Sequence, residues 1–409
     1  MSKTVCIVGA FDTKGPEYAF LRERVLEAGA EVFTINTGVL GTTDLFAVDV
    51  EADAVASAAG GDLAAIRKKK DRGEAMRAMG DGAAALLPQL YDAGRFDGVL
   101  GMGGSGGSSV VTAAMRALPI GVPKVCVSTV ASGDTSAFVG AKDVVLFPSI
   151  TDVAGVNRIS QVIFSRAAGA IVGMVNAEVP TATDERPIIV ASMFGNTTEC
   201  VDACRAALDA QGYEVLVFHA TGTGGRTMES LIDEGLVDAV LDITTTEWAD
   251  EVCGGTLSAG PERLSAPGRA GLPHLIVPGC VDMANFGPLD TVPEKFRSGR
   301  NLYEWNPAIT LMRTTAEENA QLGKIFAEKA NAASGPVAFL LPLRGVSILD
   351  GDGERFCDRQ ADAALFDALK TNLKSDIRVE EIDVNINDKE FSDRAVELML
   401  ELIAARTAG

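Results

Sequence analysis

The sequence has few basic residues and no long apolar run, and each shortage excludes a class of partner. Its 36 Lys and Arg stand against 56 Asp and Glu, for a formal net charge of -20, whereas a nucleic-acid surface needs clustered cations. Gly, Pro or a charged residue interrupts every apolar segment before the ~20 residues that cross a bilayer. We therefore expect neither nucleic acid nor a membrane as a partner. The one basic run, at 67–72, is interpreted as a solvated helix face.

Cysteine is too sparse and too irregularly spaced for a disulfide framework. The chain has 7 cysteines, and an odd number without regular spacing is typical of reduced compartments. The segment MSKTVCIVG leads directly into a predicted strand, without the pattern of a signal peptide. We expect a cytoplasmic location. Cys200 and Cys204 lie four residues apart on a predicted helix, but no second ligand pair accompanies them, so we interpret them as buried cysteines.

Short apolar segments rich in β-branched residues alternate along the chain with longer amphipathic ones. The short segments are almost continuously apolar, as strands covered by helices on both faces are. They lie at 4–10, 31–37, 96–102, 123–129 and 142–148, then at 187–194, 213–219, 237–243, 273–279, 336–342 and 376–384. This rhythm predicts an α/β protein of two Rossmann-like, doubly wound subdomains with mostly parallel sheets that face each other across a cleft.

The two halves also resemble each other in sequence. Residues 8–38 and 191–222 share a strand, a Phe, a polar turn, a Glu, a helix, a Gly, a second strand and Thr-Gly in one order. This pattern favours an internal duplication, although two unrelated units of this architecture would look similar. The polar segment 181–187 is the predicted boundary. We therefore predict a first subdomain at 1–180, with a helix-rich insertion at about 41–96, and a second at 187–409.

Glycine is concentrated between a predicted strand and a predicted helix. Five of the seven residues from Gly101 to Gly107 are glycine. The run lacks the lysine of a phosphate-binding P-loop, because Gly107 stands at that position. Unhindered N–H groups at a helix start still favour an anion, and the freedom lost on ordering glycines is a cost that close approach of a ligand would explain. The alternative is a tight or flexible turn.

Other polar residues follow the neighbouring strands, at the edge where open α/β sheets bind ligands. Lys14 is the candidate for the cation missing at Gly107, and Asp12 is the candidate for holding magnesium through water, or a ribose hydroxyl. The predicted cofactor-binding residues are Asp12, Thr13, Lys14, Thr37, Gly38, Gly103, Gly104, Ser105, Gly106, Gly107, Ser108, Ser128 and Thr129.

The second half has its own polar edge, with candidates for catalysis. His219 ends a predicted strand and has an ordinary pKa near 6.5 that suits a general base, the alternative being a capping or buried histidine. Cys280 is a candidate nucleophile and Asp282 lies beside it. Glu247, Arg226 and Arg344 stand in neighbouring loops, where they could converge with these three. His274 begins a strand and is predicted to be structural, and Asp350 and Asp352 are predicted to lie in a surface turn.

A series of motifs covering essentially the whole chain resembles a known family. The motifs are FDTKG, INTGVLG, GMGGSGGSSVVTAAMRALPIGVPKVCVSTVASGD, PSITDVAGVN, VPGCVDMANFG and NPAITLMRTT, in that order. They are similar to those of the uncharacterised family of bacterial and plant proteins that includes the N-terminal domain of the tomato mosaic virus resistance protein. The resemblance implies two Rossmann-like subdomains, ATP binding as in the plant member, and a homodimer or higher homo-oligomer. Trp305 departs from the family pattern, which usually has His before the NP motif.

The sequence leaves three functions open. The first is an ATP-binding enzyme that acts on a small anionic metabolite. The second is a nucleotide-sensing module without turnover. The third is a hydrolase or lyase whose glycine run binds a carboxylate substrate, because an anion site at a helix start accepts phosphate and carboxylate alike.

Overall fold

The computed structural model describes residues 2–179 and 186–408. The chain divides into two compact units, Met1–Thr181 and Ala182–Gly409. Most of segment 181–187, which we predicted as the boundary, lies outside the described residues. Each unit is built on a parallel sheet covered by helices, as the alternating sequence pattern predicts. Within the described residues, no helix combines the length and the apolar character needed to cross a membrane.

The first unit contains a five-stranded sheet in which all neighbouring strands run parallel. Its strands are β1 (Thr4–Gly9), β2 (Glu31–Asn36), β3 (Gly98–Gly103), β4 (Lys124–Ser128) and β5 (Val145–Pro148), in the order β2-β1-β3-β4-β5. Its helices are α1 (Phe11–Glu27), α2 (Ala52–Ala58), α3 (Leu63–Lys69), α4 (Arg72–Asp92), α5 (Ser105–Arg116), α6 (Ser136–Val139) and α7 (Arg158–Val175). The strand order reverses between β1 and β3, which is where doubly wound sheets bind ligands.

Alternate side chains of each central strand enter two different cores. In β1, Cys6 and Val8 pack with α4 and α5 on one face of the sheet, whereas Val5 and Ile7 pack with α1 and α7 on the other. Burial on both faces explains the nearly continuous apolar composition of these strands. The sheet is therefore rigidly held, and its carboxyl edge positions the loops that follow β1, β3 and β4.

The second unit contains a six-stranded parallel sheet and a separate small antiparallel sheet. Its strands are β6 (Ile188–Met193), β7 (Glu214–His219), β8 (Ala239–Thr244), β9 (His274–Gly279), β10 (Met283–Phe286), β11 (Leu302–Asn306), β12 (Ile309–Arg313), β13 (Val337–Pro342) and β14 (Arg378–Ile382). Its helices are α8 (Thr198–Ala210), α9 (Thr223–Asp233), α10 (Thr246–Cys253), α11 (Ala266–Arg269), α12 (Glu294–Arg297), α13 (Ala316–Ala332), α14 (Arg359–Asn372) and α15 (Lys389–Ala408).

Both parallel sheets have the same strand order. The large sheet of the second unit runs β14-β13-β9-β8-β6-β7. In each unit the second strand pairs with the first, and the third, fourth and fifth strands follow on the other side of the first; the second unit adds a sixth. This shared topology agrees with the sequence similarity between the halves.

The small sheet, which we did not predict, is inserted between two strands of the large one. It has the order β10-β12-β11, with antiparallel pairing throughout. The two ends of the insertion meet, because Thr314 donates through N to the Asp282 carbonyl at 3.0 Å and through Oγ1 to the Val281 carbonyl at 2.8 Å. The chain therefore leaves the large sheet after β9 and returns at the same place before α13.

Candidate functional site

The glycine run of the first unit ends β3 and begins α5, as the sequence predicts. Gly104 is the N-cap of α5, and among the described residues no side chain makes a capping hydrogen bond there. Ser105 is exposed, and Gly106 and Gly107 are half-buried. The first N–H groups of a helix have no partner within the helix, so those of Ser105, Gly106 and Gly107 face outward without a side-chain acceptor. Such a terminus attracts an anion.

The glycines of the run serve two different purposes. A Cβ at Gly101 would lie 2.5 Å from Val111 Cγ1, and one at Gly103 would lie 2.7 Å from Gly107 Cα. These two glycines are needed because α5 packs closely onto β3. A Cβ at Gly104 would have only Thr129 Oγ1 within 4 Å, at 3.8 Å, and one at Gly107 only the Met102 carbonyl oxygen, at 3.5 Å. None of the glycines in the run has a positive φ, so neither packing nor backbone conformation requires Gly104 and Gly107.

Helix α9 of the second unit also begins at glycines, but its N-terminus is occupied. The N–H groups of Gly222 and Gly225 donate to Glu247 Oε1 at 2.7 and 3.1 Å. Glu247 is buried and also pairs with Arg263, from Arg263 Nε at 2.7 Å. A carboxylate of the protein itself therefore takes the anion position at α9, whereas none of the residues that the structure describes places a carboxylate at the start of α5.

A cation that we did not predict for this site lies beside the glycine run. Lys14 Nζ donates to the Val153 carbonyl, so its ammonium group is held by the loop after β5. Arg72, the first residue of α4, is exposed, and its Nη2 would lie 3.8 Å from a Cβ at Gly106. Arg72 belongs to the basic run that we interpreted as a solvated helix face. Its guanidinium is indeed solvated, but it also lies beside the glycine run.

The predicted residues after β1 and β2 lie at the same edge of the sheet. Asp12 accepts a hydrogen bond from Leu40 N through Oδ2, at 2.7 Å, whereas its buried Oδ1 has no partner. A Cβ at Gly38 would lie 2.2 Å from Asp12 Oδ1, so Gly38 is needed to admit that carboxylate. Thr37 is buried, and Thr13 is exposed. Asp12 is thus the residue of this group with an unused acceptor.

Ser108 and Ser128 are structural. Their hydroxyl oxygens lie 2.6 Å apart, both are fully buried, and Ser108 Oγ also donates to the Gly103 carbonyl at 3.1 Å. Thr129 N donates to the same carbonyl at 3.2 Å. These bonds fix the start of α5 against β3 and β4. Because both serine side chains are buried, they do not contribute to the surface at the start of α5.

The three catalytic candidates of the second unit have different environments. His219 ends β7 and is exposed, and its ring contacts Phe194 edge-on at 5.3 Å between centroids. Cys280 is fully buried, and burial raises the pKa of its thiol well above the ordinary value, so the thiolate is disfavoured. Asp282 is also buried; it accepts from Ser347 Oγ at 2.9 Å, and burial raises its pKa to about 6. Within the described residues, no hydrogen bond or ion pair joins Cys280 or Asp282 to His219.

The other polar residues of this unit that the sequence singled out make structural contacts. Arg226 donates to the Ser258 carbonyl at 2.9 Å, and Arg344 pairs with Asp352 and Asp383 on the surface. His274 contacts Asp242 at 2.9 Å inside the core, in the structural role we predicted. The surface turn predicted for Asp350 is wrong, because this residue is fully buried and pairs with Arg313. Among the described residues, no cluster of three His, Cys, Asp or Glu side chains forms a metal site.

A pocket of about 320 Å³ in the second unit was not predicted from the sequence. It lies at the ends of β6 and β7 and against the three-stranded sheet, and it is lined by residues such as Phe194, His219, Asn285 and Trp305. Only His219 among these four was a candidate. The short apolar segments MANF and ITLMR indicate two strands of the small sheet, β10 and β12, but no such signal marks its third strand, β11.

The fold and the carboxyl edge of the first sheet define a class of protein. It is a two-unit α/β protein in which a helix begins at the strand-order reversal of the first sheet, without a side-chain cap among the described residues. The chain belongs to the uncharacterised protein family UPF0261. Residues 3–180 match the N-terminal domain of that family and residues 186–403 match its C-terminal domain.

Relatives from bacteria and from a plant match nearly the whole chain. A UPF0261 protein of Clostridium tetani is 46% identical over 98% of this chain and 100% of its own length. One from Rhizobium meliloti is 48% identical over 96% of this chain and 98% of its own. The ToMV resistance protein Tm-1(GCR237) of Solanum lycopersicum is 38% identical over 98% of this chain, and the match covers 56% of the tomato protein.

Proposed function

We propose that the first unit binds a nucleotide, ATP or a close relative, with its phosphates at the start of α5. The observation that carries the proposal is the contrast between two glycine-led helices. Glu247 fills the N-terminus of α9, whereas no side chain in the described part of the chain caps α5, and the Cβ positions of Gly104 and Gly107 meet few atoms. Phosphate bound by outward-facing N–H groups would make use of both features.

The residues around this terminus fit a nucleotide. The N–H groups of Ser105, Gly106 and Gly107 would hold phosphate oxygens, and the Arg72 guanidinium would balance their charge. The unpartnered Asp12 Oδ1 would accept from a ribose hydroxyl or from a magnesium-bound water. Bound magnesium would neutralise phosphate charge. The proposal is for binding and assigns no reaction to the first unit.

Thermal unfolding in the presence of ATP tests the proposal. A ligand that binds only the native state raises the unfolding midpoint as its concentration increases. We expect such a rise with millimolar ATP, measured with and without magnesium, and none with citrate at the same ionic strength. A rise with citrate but not with ATP would favour the carboxylate alternative instead. No rise with either anion would remove the anion site altogether.

A further inference from the structure

The pocket of the second unit has aromatic and aliphatic walls. Phe194 contributes from the end of β6, Phe286 from β10 and Trp305 from β11, and Leu257 and Leu311 complete the apolar lining. Its volume of about 320 Å³ is at the lower end of the roughly 300–1,000 Å³ that is typical of small-molecule sites. Aromatic walls from three separate segments favour a flat ring over a flexible chain.

The lining carries no strongly charged side chain. Among the described residues that line the pocket, none is Lys, Arg, Asp or Glu, and His219 is the one ionisable group. A phosphate or carboxylate would lose its water here without gaining a counter-charge, which is costly. The pocket therefore differs from the α5 terminus, and it does not suit the small anionic metabolite of one of the three functions that the sequence left open.

One buried polar atom in the lining has no partner. Asn285 is only 1% exposed, and its amide Nδ2 donates to Asp250 Oδ2 at 2.8 Å, while Asp250 Oδ1 accepts from Asn285 N at 3.0 Å. These bonds turn the amide nitrogen toward Asp250, and the buried carbonyl oxygen, Oδ1, has no hydrogen bond among the described residues. Buried acceptors in folded proteins are nearly always satisfied, so an orphan acceptor on a residue that lines a pocket indicates a missing donor.

We propose that this pocket binds a small, uncharged aromatic molecule that donates a hydrogen bond to Asn285 Oδ1. The exposure of Trp305 agrees with this assignment: this large apolar residue lines the pocket and is half exposed, and a stacked ring would cover part of it. His219 lies at the same pocket, where its ring can contact a polar substituent of the ligand. The site lies within the second unit and is independent of the nucleotide proposed for the first.

Three simple compounds separate the features of the proposed ligand. Phenol is an uncharged ring with a donor, anisole is a similar ring without one, and benzoate is a ring with a negative charge. Calorimetric titration of the whole protein should show binding of phenol, with anisole and benzoate at least about tenfold weaker, because a site built around a polar atom rejects analogues that leave it unpaired. Equal binding of phenol and anisole would overturn the role of Asn285. Stronger binding of benzoate would overturn the uncharged ligand, and no binding of any compound at millimolar concentration would overturn the site.

A variant that fills the pocket tests whether phenol binds there. Gly195 lines the pocket, and a Cβ there would meet no atom within 4 Å, so Gly195→Leu should fold and should abolish phenol binding. Gly173→Leu, at an equally unobstructed position in α7 of the first unit, is the control and should bind as the parent does. Phenol should change the fluorescence of Trp305 in the parent protein but not in Gly195→Leu. Trp248, the other of the 2 tryptophans, is buried and should not contribute to the change. Phenol binding unaffected by Gly195→Leu would place it elsewhere and overturn the proposal.

Discussion

Two arginines of α4 offer a direct test of the anion site at the residue scale. Arg72 and Arg77 are both exposed, but Arg72 lies beside Gly106. We expect Arg72→Gln to weaken ATP binding about fivefold, since an exposed charge pair contributes up to about 1 kcal/mol. Arg77→Gln makes the same change of charge on the same helix and should leave the affinity unchanged. Equal losses in the two variants, measured by calorimetry at one salt concentration, would show only a general charge effect.

Asp250 makes the stability of the second unit depend on pH. Burial raises its pKa from 3.8 to about 7, so the native state holds the proton more tightly than the unfolded chain does. This contribution to stability is present at low pH and is lost as the pH rises through about 7.

Replacing this carboxyl removes one titrating group. The free energy of unfolding should fall as the pH rises from about 4 to about 7. Asp250→Asn should reduce the slope of this fall by up to ~1.4 kcal/mol per pH unit, which corresponds to one proton. The slope should not vanish, because burial also raises the pKa of Asp282, to about 6, and of Asp350, to about 8. Urea unfolding over this range measures the difference, and an unchanged slope would mean that Asp250 is ionised throughout.

At the scale of elements, the N-terminus of α5 can be given the carboxylate that α9 already has. A side chain at Gly104 has room, with Thr129 Oγ1 at 3.8 Å from its Cβ. In Gly104→Asp the carboxylate should cap α5, raise the free energy of unfolding by about a few tenths of a kcal/mol, and exclude ATP.

The control for this variant carries the same charge elsewhere. Gly169 is exposed on α7, and a Cβ there meets no atom within 4 Å, so Gly169→Asp should bind ATP as the parent does. Affinity is measured by calorimetry and folding by circular dichroism. Retained ATP binding in Gly104→Asp would show that the nucleotide does not use this helix terminus.

The elements of the parallel sheets were predictable because their physical signal is strong. A strand such as β1 is buried on both faces, so almost every residue in it is apolar. Strand β11 lacks that signal, because Glu304, Trp305 and Asn306 are exposed and its pairing with β12 is irregular. The pocket was missed for the same reason. Sequence spacing places Lys14 near the same edge, but it does not reveal that the Val153 carbonyl engages Lys14 or that Arg72 approaches Gly106.

At the scale of the whole molecule, the two proposed sites lie in different units. All groups that we assign to the nucleotide are in Met1–Thr181, and all that we assign to the aromatic ligand are in Ala182–Gly409. Hydrogen exchange of the intact chain should therefore show ATP protecting the first turn of α5 and the loop after β1, with phenol protecting the loops after β6 and β7. Protection of both units by either ligand would contradict this separation and reveal coupling between the sites.

The closure of the inserted sheet has a consequence for how this protein can diversify. Because Thr314 bonds back to Val281 and Asp282, the insertion begins and ends at one point, and the pairing of β9 with β13 does not involve it. Exchanging or lengthening the exposed segment 304–309 of the insertion would therefore change a wall that faces a ligand while leaving the folding of the parallel sheet intact. Selection, natural or in the laboratory, can thus alter what this unit recognises without having to rebuild its architecture.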